Sequence, residues 1–489
     1  MSISRKKPRI GMMLPAYWQR CTLSGIASRI NICWELPLLA LLAFCYFLYF
    51  THHLPFYWHD YDYLIALERG VDWKAVFSIG KGFFYRPLET VLFSGLYAFF
   101  GSNPLGYRLF KAVVVASLVI ALYILIRLLS GSRMAAAISS LVLIISPSTL
   151  QSAMYFSDFE LLAETLVILS LIGLAFYSRS GSKGWLAGIF LSAMAACLIK
   201  ETARIYPLLV AAFFIAFEGR GSLLHRRRLL LLLVPISVWP NLFGAGGLEL
   251  FKIASLDRAA RFAFRMLTGI TLPLAVVIMA ALLPAWNKVR RYLPGCNEYD
   301  KRIASTLHFM VIWLVFVLPL TALAPLSEWR YQAVLSLPLA GIAGTAIAGL
   351  AGYVTALGNV RKTKYFLLVL LLGFTFRQSF AASRTTVAVI GSYVSGLDMV
   401  MRFTDSEAVK GHTIYYQSWR SELYSRKGVS NYVNISSDEE PLRYLLQNGV
   451  RQGDFFLLLP LQQLPAGLPA SYVREFVSGA NRFVLYSID

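Results

Sequence analysis

Apolar runs of roughly 17 to 25 residues, the length that crosses about 30 Å of hydrocarbon, recur from position 36 to position 376 of this chain. Lys and Arg gather between alternate pairs of them. Lipid offers the backbone no hydrogen-bond partners, so each run must satisfy its own amides and carbonyls, and a helix does this within one segment. About eleven runs of this length predict a polytopic α-helical membrane protein. Composition excludes the soluble alternative, with 57% hydrophobic, 14% aromatic and only 15% charged residues and a mean hydropathy of +0.59.

The distribution of cations predicts an orientation. A basic leader containing Arg5, Lys6, Lys7, Arg9, Arg20 and Arg29 precedes the first run without a small-residue cleavage site, so residues 1–34 read as a cytoplasmic segment before an uncleaved anchor. Arg127 and Arg133, Arg179 and Lys183, the "HRRR" at 225–228, the "KVRR" at 288–291 with Lys301 and Arg302, and the "RKTK" at 361–364 then fall on that same inner side. The opposite loops are 51–107, 151–160, 200–204, 241–265 and 325–332, and the acidic clusters lie there.

The formal net charge of +20 belongs to the apolar part, because residues 378–489 carry ten Lys or Arg against ten Asp or Glu. It is a topology signal and not a nucleic-acid surface. Texture changes in the same place: "HTIYYQ", "DFFLLLP" and "RFVLYSI" read as strands and "DEEPLRYLLQNG" as a capped helix. The expected organisation is therefore a cytoplasmic segment at 1–34, a transmembrane bundle at 35–377 with a long first outer loop at about 52–107, and a small extracytoplasmic α/β domain at 378–489. None of the five cysteines lies in that last part or in a CxxC pair, so neither a disulfide framework nor a zinc ribbon is implied.

The first outer loop opens with "THHLPFYWHDYDYLIALERG", which places three histidines and three acidic residues among aromatics at the expected membrane surface. Carboxylates there suit a reaction between a lipid-borne reactant and a water-borne one, although a plain solvated loop has the same composition. His52, His53 and His59 beside Asp60 and Asp62 could also hold a divalent metal.

Four stretches, in chain order, resemble one family. "FYRPLETVLFSGLYAFFGSNPLGYRLFKAVVVASLVIALYILIRLL" at 84–129 is similar to the first outer loop and second span of the GT-C membrane glycosyltransferases that use polyprenyl-phosphate sugars, particularly the protein O-mannosyltransferase-like branch. "HDYD" stands where that family has its acidic motif, making Asp60 and Asp62 the candidates. "YFSDFELLAETLVILSLIGLAFY" resembles the segment in which an acidic residue precedes a Leu-Leu pair, a place filled here by Glu160 with Asp158 beside it. "LIKETARIYPLLVAAFF" resembles the family's Lys-Glu motif and "SEWRYQAVLSLPLAGIA" its later Glu-Arg-Tyr motif, interrupted by Trp329. The resemblance covers roughly residues 35–345.

What it implies is a GT-C-like bundle that moves a sugar, a hexose such as mannose, from a polyprenyl-phosphate donor to an acceptor hydroxyl on the outer face. Among the implied site residues, Asp60 is the first choice of base, Asp62 its neighbour, and Asp158 or Glu160 the second carboxylate beside the sugar. Lys200, Arg330, Arg204 and Arg86 are the candidates for the donor phosphate, and Glu201, Glu328 and Tyr331 for the acceptor or its surroundings. No cofactor is firmly implied, a divalent metal stays open, and the acceptor is a glycan, a lipid or a protein. A transporter or lipid-linked-sugar flippase is the alternative, but such proteins usually carry charges at mid-membrane and inverted repeats.

Overall fold

The computed structural model describes residues 34–54, scattered positions between 56 and 76, then 86–217, 298–323 and 333–355. Beyond these it describes scattered positions between 373 and 403, then 412–417, 431–435, positions 445 and 447, and most of 451–489. Ten helices are named here: α1 Glu35–Thr51, α2 Pro87–Phe100, α3 Pro104–Ser130, α4 Arg133–Ile144, α5 Pro147–Met154, α6 Glu160–Ser180, α7 Gly184–Ile199, α8 Tyr206–Phe217, α9 Glu298–Leu323 and α10 Ala333–Thr355. A short 3-10 helix, Glu201–Ile205, joins α7 to α8.

Helix α3 is the central post, packing against α1, α4, α6 and α9. Asn103 caps it by accepting from the Leu105 amide, Pro104 opens its first turn, and Gly131 at φ 73° ends it in the left-handed conformation. Its core side (Leu118, Leu122, Leu125, Ile126) is almost fully buried, whereas Leu105, Leu109 and Val113, spaced four apart, are exposed in a line. Such an apolar stripe is solvated by hydrocarbon rather than water.

By length and composition, α3 and α6 can each cross a membrane, and α4 with α5 forms a third candidate span bent by 53°. The bend has a local cause. Ser146 precedes Pro147 and takes an extended ψ of 120°, because the ring of the following proline disfavours the helical region. The hydroxyls of Ser146 and Ser148 both reach Ser336 on α10, at 3.1 and 2.6 Å, so the polar groups at the break are satisfied by a neighbouring helix. Several of the expected eleven runs, including those in 218–297 and 356–372, lie outside the described residues.

The two ends of α3 differ in character. At its C-terminal end, Arg179 and Arg302 both donate to the Leu128 carbonyl at 2.6 Å, and Arg127 donates to Gly131, placing cations against the negative end of the helix dipole. These are residues that the charge pattern assigns to one side. At its N-terminal end, about 40 Å away for 27 residues, Arg108 and Lys111 face the acidic groups of the loops. α2 is an addition to the expected picture: residues 87–100, read as part of a loop, form an apolar helix that packs against α7.

The C-terminal part holds a five-stranded mixed sheet in the order β2-β1-β3-β5-β4, with β1 Thr413–Gln417, β2 Asn431–Ile435, β3 Phe455–Leu458, β4 Ala470–Ser478 and β5 Asn481–Ile488. Strand β1 runs parallel to both β2 and β3, and β5 runs antiparallel to β3 and β4. Three of the strands, β1, β3 and β5, fall on the segments that read as strands in the sequence. Both faces are covered: Ile414, Phe455, Leu457 and Phe483 pack with Leu397 and Val400, while Tyr415, Phe456 and Leu458 pack with Leu445 and Leu468. Burial on both faces explains why "FFLLL" is a continuous apolar run and not an alternating one.

Candidate active site

The loops at the N-terminal end of α3 fold back onto it because aromatic side chains bind them there. Phe56 packs edge-on against Tyr107 and Phe156, with ring centroids 5.2 and 5.0 Å apart, and Tyr107 also meets Phe93 of α2 at 5.5 Å. Arg108, only 1% exposed, donates to the Leu54 carbonyl at 2.9 Å and to the Met154 carbonyl at 3.2 Å, with its guanidinium 4.0 Å over the Phe156 ring. Lys111 does the same one turn further on, donating to the Asp158 carbonyl while lying 4.6 Å over Phe159. These two cations satisfy carbonyls that the loops would otherwise leave buried without partners, and they draw residues 54 and 154–159 together.

That closure decides where the acidic residues go. Asp60 is fully buried, and its Oδ1 accepts from the Ser157 amide at 2.8 Å and the Ser157 hydroxyl at 2.9 Å. Next to Ser157 in sequence, Asp158 Oδ1 accepts from the Glu160 amide at 3.1 Å, giving a partner to the first free N–H of α6. The same oxygen forms an ion pair with Lys200 Nζ at 2.8 Å, and Glu160 Oε2 lies 3.9 Å from that ammonium while its Oε1 accepts from the Thr202 hydroxyl. Three segments far apart in sequence thus deliver Asp60, Asp158, Glu160 and Lys200 to one buried place.

A second ion pair flanks it. The Arg86 guanidinium forks onto Glu201, with Nε to Oε2 at 2.7 Å and Nη2 to Oε1, and its Nη1 lies 3.3 Å from Glu89 Oε2. Burial opposes ionisation of Glu201, but Arg86 and Lys200 outweigh it and hold the carboxylate down at about 2. For Lys200 both burial and Arg86 act against the charge, and Asp158, Glu89 and Glu201 together more than offset them, so its pKa lies above the ordinary lysine value and the side chain is an ammonium.

The Glu201 pair has a measurable consequence for stability. Its folded pKa lies below the ordinary 4.5, so the stabilisation is fully present above that value and is lost as pH falls toward 2, roughly 3 kcal/mol in all. In detergent, the difference in melting temperature between the wild type and Glu201→Gln is expected to be largest near pH 6 and to shrink by pH 3. A difference that does not change over this range would show that Glu201 is not held ionised by Arg86.

Placement of the remaining candidates is as follows. Arg204 is half-buried in the 3-10 helix, where burial lowers its pKa and Glu201 counters that in part. His52 and His53 are exposed and stack edge-on at 5.2 Å, with His52 Nδ1 3.0 Å from the Leu48 carbonyl. Among the described residues no group of three or more His, Cys, Asp or Glu is disposed to hold a metal ion. His59, Asp62, Glu328, Arg330 and Tyr331 lie outside the described residues. The structure also brings in residues that motif reading passes over, namely Glu89, Arg108, Lys111, Ser157, Glu164 and Thr202. A signal for three of them was present, since Arg108, Lys111 and Glu164 are charges at the mouths of otherwise apolar runs, where burial is costly unless it serves a purpose.

The fold follows from comparison with solved structures: the chain shares the GT-C fold of ArnT and of an archaeal oligosaccharyltransferase. It aligns with ArnT from Cupriavidus metallidurans bound to undecaprenyl phosphate at a TM-score of 0.54 and 14% identity, over 93% of this chain and 98% of that one. The apo state of the same ArnT gives 0.53 and 14% over 94% and 98%. The apo oligosaccharyltransferase of Archaeoglobus fulgidus gives 0.54 and 13% over 88% of this chain and 70% of that one. No protein-family model matches the sequence, and no curated protein does.

Proposed function

We propose that this protein transfers a sugar, a hexose such as mannose, from a polyprenyl-phosphate donor to an acceptor hydroxyl at the outer face of the membrane. The observation that carries this reading is the buried constellation of Asp60, Asp158, Glu160 and Lys200 beside the Arg86–Glu201 pair, set at the end of α3 opposite the Arg179 and Arg302 cluster. Undecaprenyl phosphate bound to ArnT, a protein of the same fold, supports a lipid phosphate as the donor's carrier. Residues 1–34 then lie in the cytoplasm and residues 378–489 outside, as the inner-loop cations favour.

In the proposed reaction the acceptor oxygen attacks the anomeric carbon, the bond from that carbon to the phosphate oxygen breaks, and polyprenyl phosphate leaves as an anion. The acceptor proton passes to a carboxylate, for which Asp60 is the first choice, and a single displacement inverts the anomeric centre. Asp60 has no exposed surface in this structure, so an acceptor reaches it only through a rearrangement around that side chain. Asp62 would orient Asp60 or the acceptor, and Glu160 or Asp158 would offset positive charge developing on the sugar.

For the departing phosphate, Lys200 retains ammonium hydrogens beyond the one directed at Asp158, and Arg204 and Arg330 are the other candidates. Arg86 is already forked onto Glu201 and would act through its field. Glu201, Glu328 and Tyr331 remain candidates for the acceptor side. No metal is needed for this chemistry, and a divalent ion at His52, His53 and His59 stays a separate proposal that a chelator tests directly.

Reconstituted into liposomes with radiolabelled undecaprenyl-phosphate mannose and related hexosyl lipids, the protein is expected to release undecaprenyl phosphate and pass the label to an acceptor fraction from the same membranes. Movement of intact donor across the bilayer without its consumption would replace this reading with that of a flippase. A C-terminal reporter active only in the cytoplasm would overturn the orientation.

A further inference from the structure

Helix α6 carries a second carboxyl group that the reaction above does not use. Glu164 lies one turn below Glu160 and is 6% exposed, and neither of its oxygens has a hydrogen-bond partner among the described residues. Glu160, Glu164 and Thr202 form the polar side of a small cavity whose remaining lining is apolar, Trp313, Val334 and Leu337 included. About 20 Å³ of it is open to the centre of a water molecule, room for a water and too little for a sugar or a phosphate.

The surroundings of the two carboxyls differ. Glu160 has the Lys200 ammonium 3.9 Å from Oε2 and the Thr202 hydroxyl donating to Oε1, so its carboxylate is matched by a cation and a donor. Glu164 has neither: among the described residues no cation lines the cavity, and the charges that act on it, from Glu160 and Asp158, are both negative. A carboxyl buried in this way keeps its proton, because an isolated ion would cost far more than the neutral acid. The neutral acid is a donor as well as an acceptor. One water in the cavity then meets three polar groups, the number that a buried water ordinarily bonds, accepting from the Glu164 O–H and donating to the Glu160 carboxylate and the Thr202 oxygen. We propose that Glu164 is a positioning residue for the transfer: carrying its proton, it donates to a single water in this cavity, and that water donates to Glu160, holding its carboxylate ionised and fixed between Thr202 and Lys200. This rests on the glycosyl-transfer reading above.

Three measurements on the full-length protein in nanodiscs test it. The infrared spectrum of the wild type at neutral pH is expected to contain the C=O stretch of a protonated carboxyl that Glu164→Gln and Glu164→Leu both lack. A cryo-electron-microscopy map that shows ordered water should place one between Glu160, Glu164 and Thr202. With undecaprenyl-phosphate mannose and related hexosyl lipids, Glu164→Leu should lower kcat on the order of tenfold at unchanged donor KM, the contribution of one hydrogen bond to a charged group, and should melt no lower than the wild type. Glu164→Met is the second apolar variant should leucine lower the melting temperature. Glu164→Gln, whose side-chain amide donates in place of the carboxyl, should retain most of the turnover.

Full turnover in Glu164→Leu would overturn the positioning role, as would a loss of turnover in both apolar variants that tracks a loss of melting temperature. Glu164→Gln falling as far as Glu164→Leu would also overturn it, since the carboxyl would then be acting through its charge. So would a wild type without the carboxyl band, or without water at that place, while leaving the transfer reading standing. A wild type that shows both but consumes none of the hexosyl lipids would remove the transfer reading, and the positioning role with it.

Discussion

Asp60→Asn is expected to lower turnover by about 10² or more while the protein still inserts, folds and binds donor. The oxygen of Asp60 that accepts from the Ser157 amide and hydroxyl has its counterpart in the asparagine carbonyl, so the contact between position 60 and the segment before α6 survives. What is lost is the negative charge, and with it both the ability to take a proton and the attraction that Asp60 offers the buried Arg108 and Lys111. Ser157→Ala provides the complement, because it removes one of the two bonds while leaving the base, and should cost turnover much less than Asp60→Asn. Full activity in Asp60→Asn and in Asp62→Asn would mean that the loop is only structural and that the base is Asp158 or Glu160.

Lys200→Met should be the most damaging single change in the described part of the site. Methionine fills the same volume without charge, leaving Asp158 and Glu160 facing each other at the head of α6 with their ammonium gone. Removing one partner of a buried pair costs about 3 to 5 kcal/mol, since the other remains charged and desolvated. The double variant Lys200→Met with Asp158→Asn should recover most of that stability, because the asparagine can still accept from the Glu160 amide through its carbonyl oxygen. Transfer should stay low if Lys200 also meets the donor phosphate. If the double variant regains both stability and wild-type turnover, Lys200 is a structural cation only and the phosphate must be held by Arg204 or Arg330.

The acidic loop after the first span stood out as charges against a hydrophobic background, and the Lys-Glu pair at 200–201 became a candidate through its resemblance to a family motif. The same contrast marks Arg108, Lys111 and Glu164, yet no local pattern says whether such a charge faces solvent, lipid or another charge. Lys200 shows the difference. In sequence it is a cation at the end of a helix, free to meet a phosphate, and in the fold it is 5% exposed against Asp158, forty-two residues away.

Hydrophobic periodicity and the placement of Lys and Arg determined the helical membrane class, the shared side of Arg127, Arg179 and Arg302, and the strands near the C-terminus. These are properties of single segments responding to solvent, lipid or the membrane interface. Only the tertiary structure decided that Asp60 is paired with Ser157, that Arg86 is committed to Glu201 and that Lys200 is committed to Asp158. Each of these depends on which buried polar group finds which partner, and that is settled when α3, α6 and the 3-10 helix pack together, because an unpaired charge in that interior costs more than the folding of the loops that brings its partner to it.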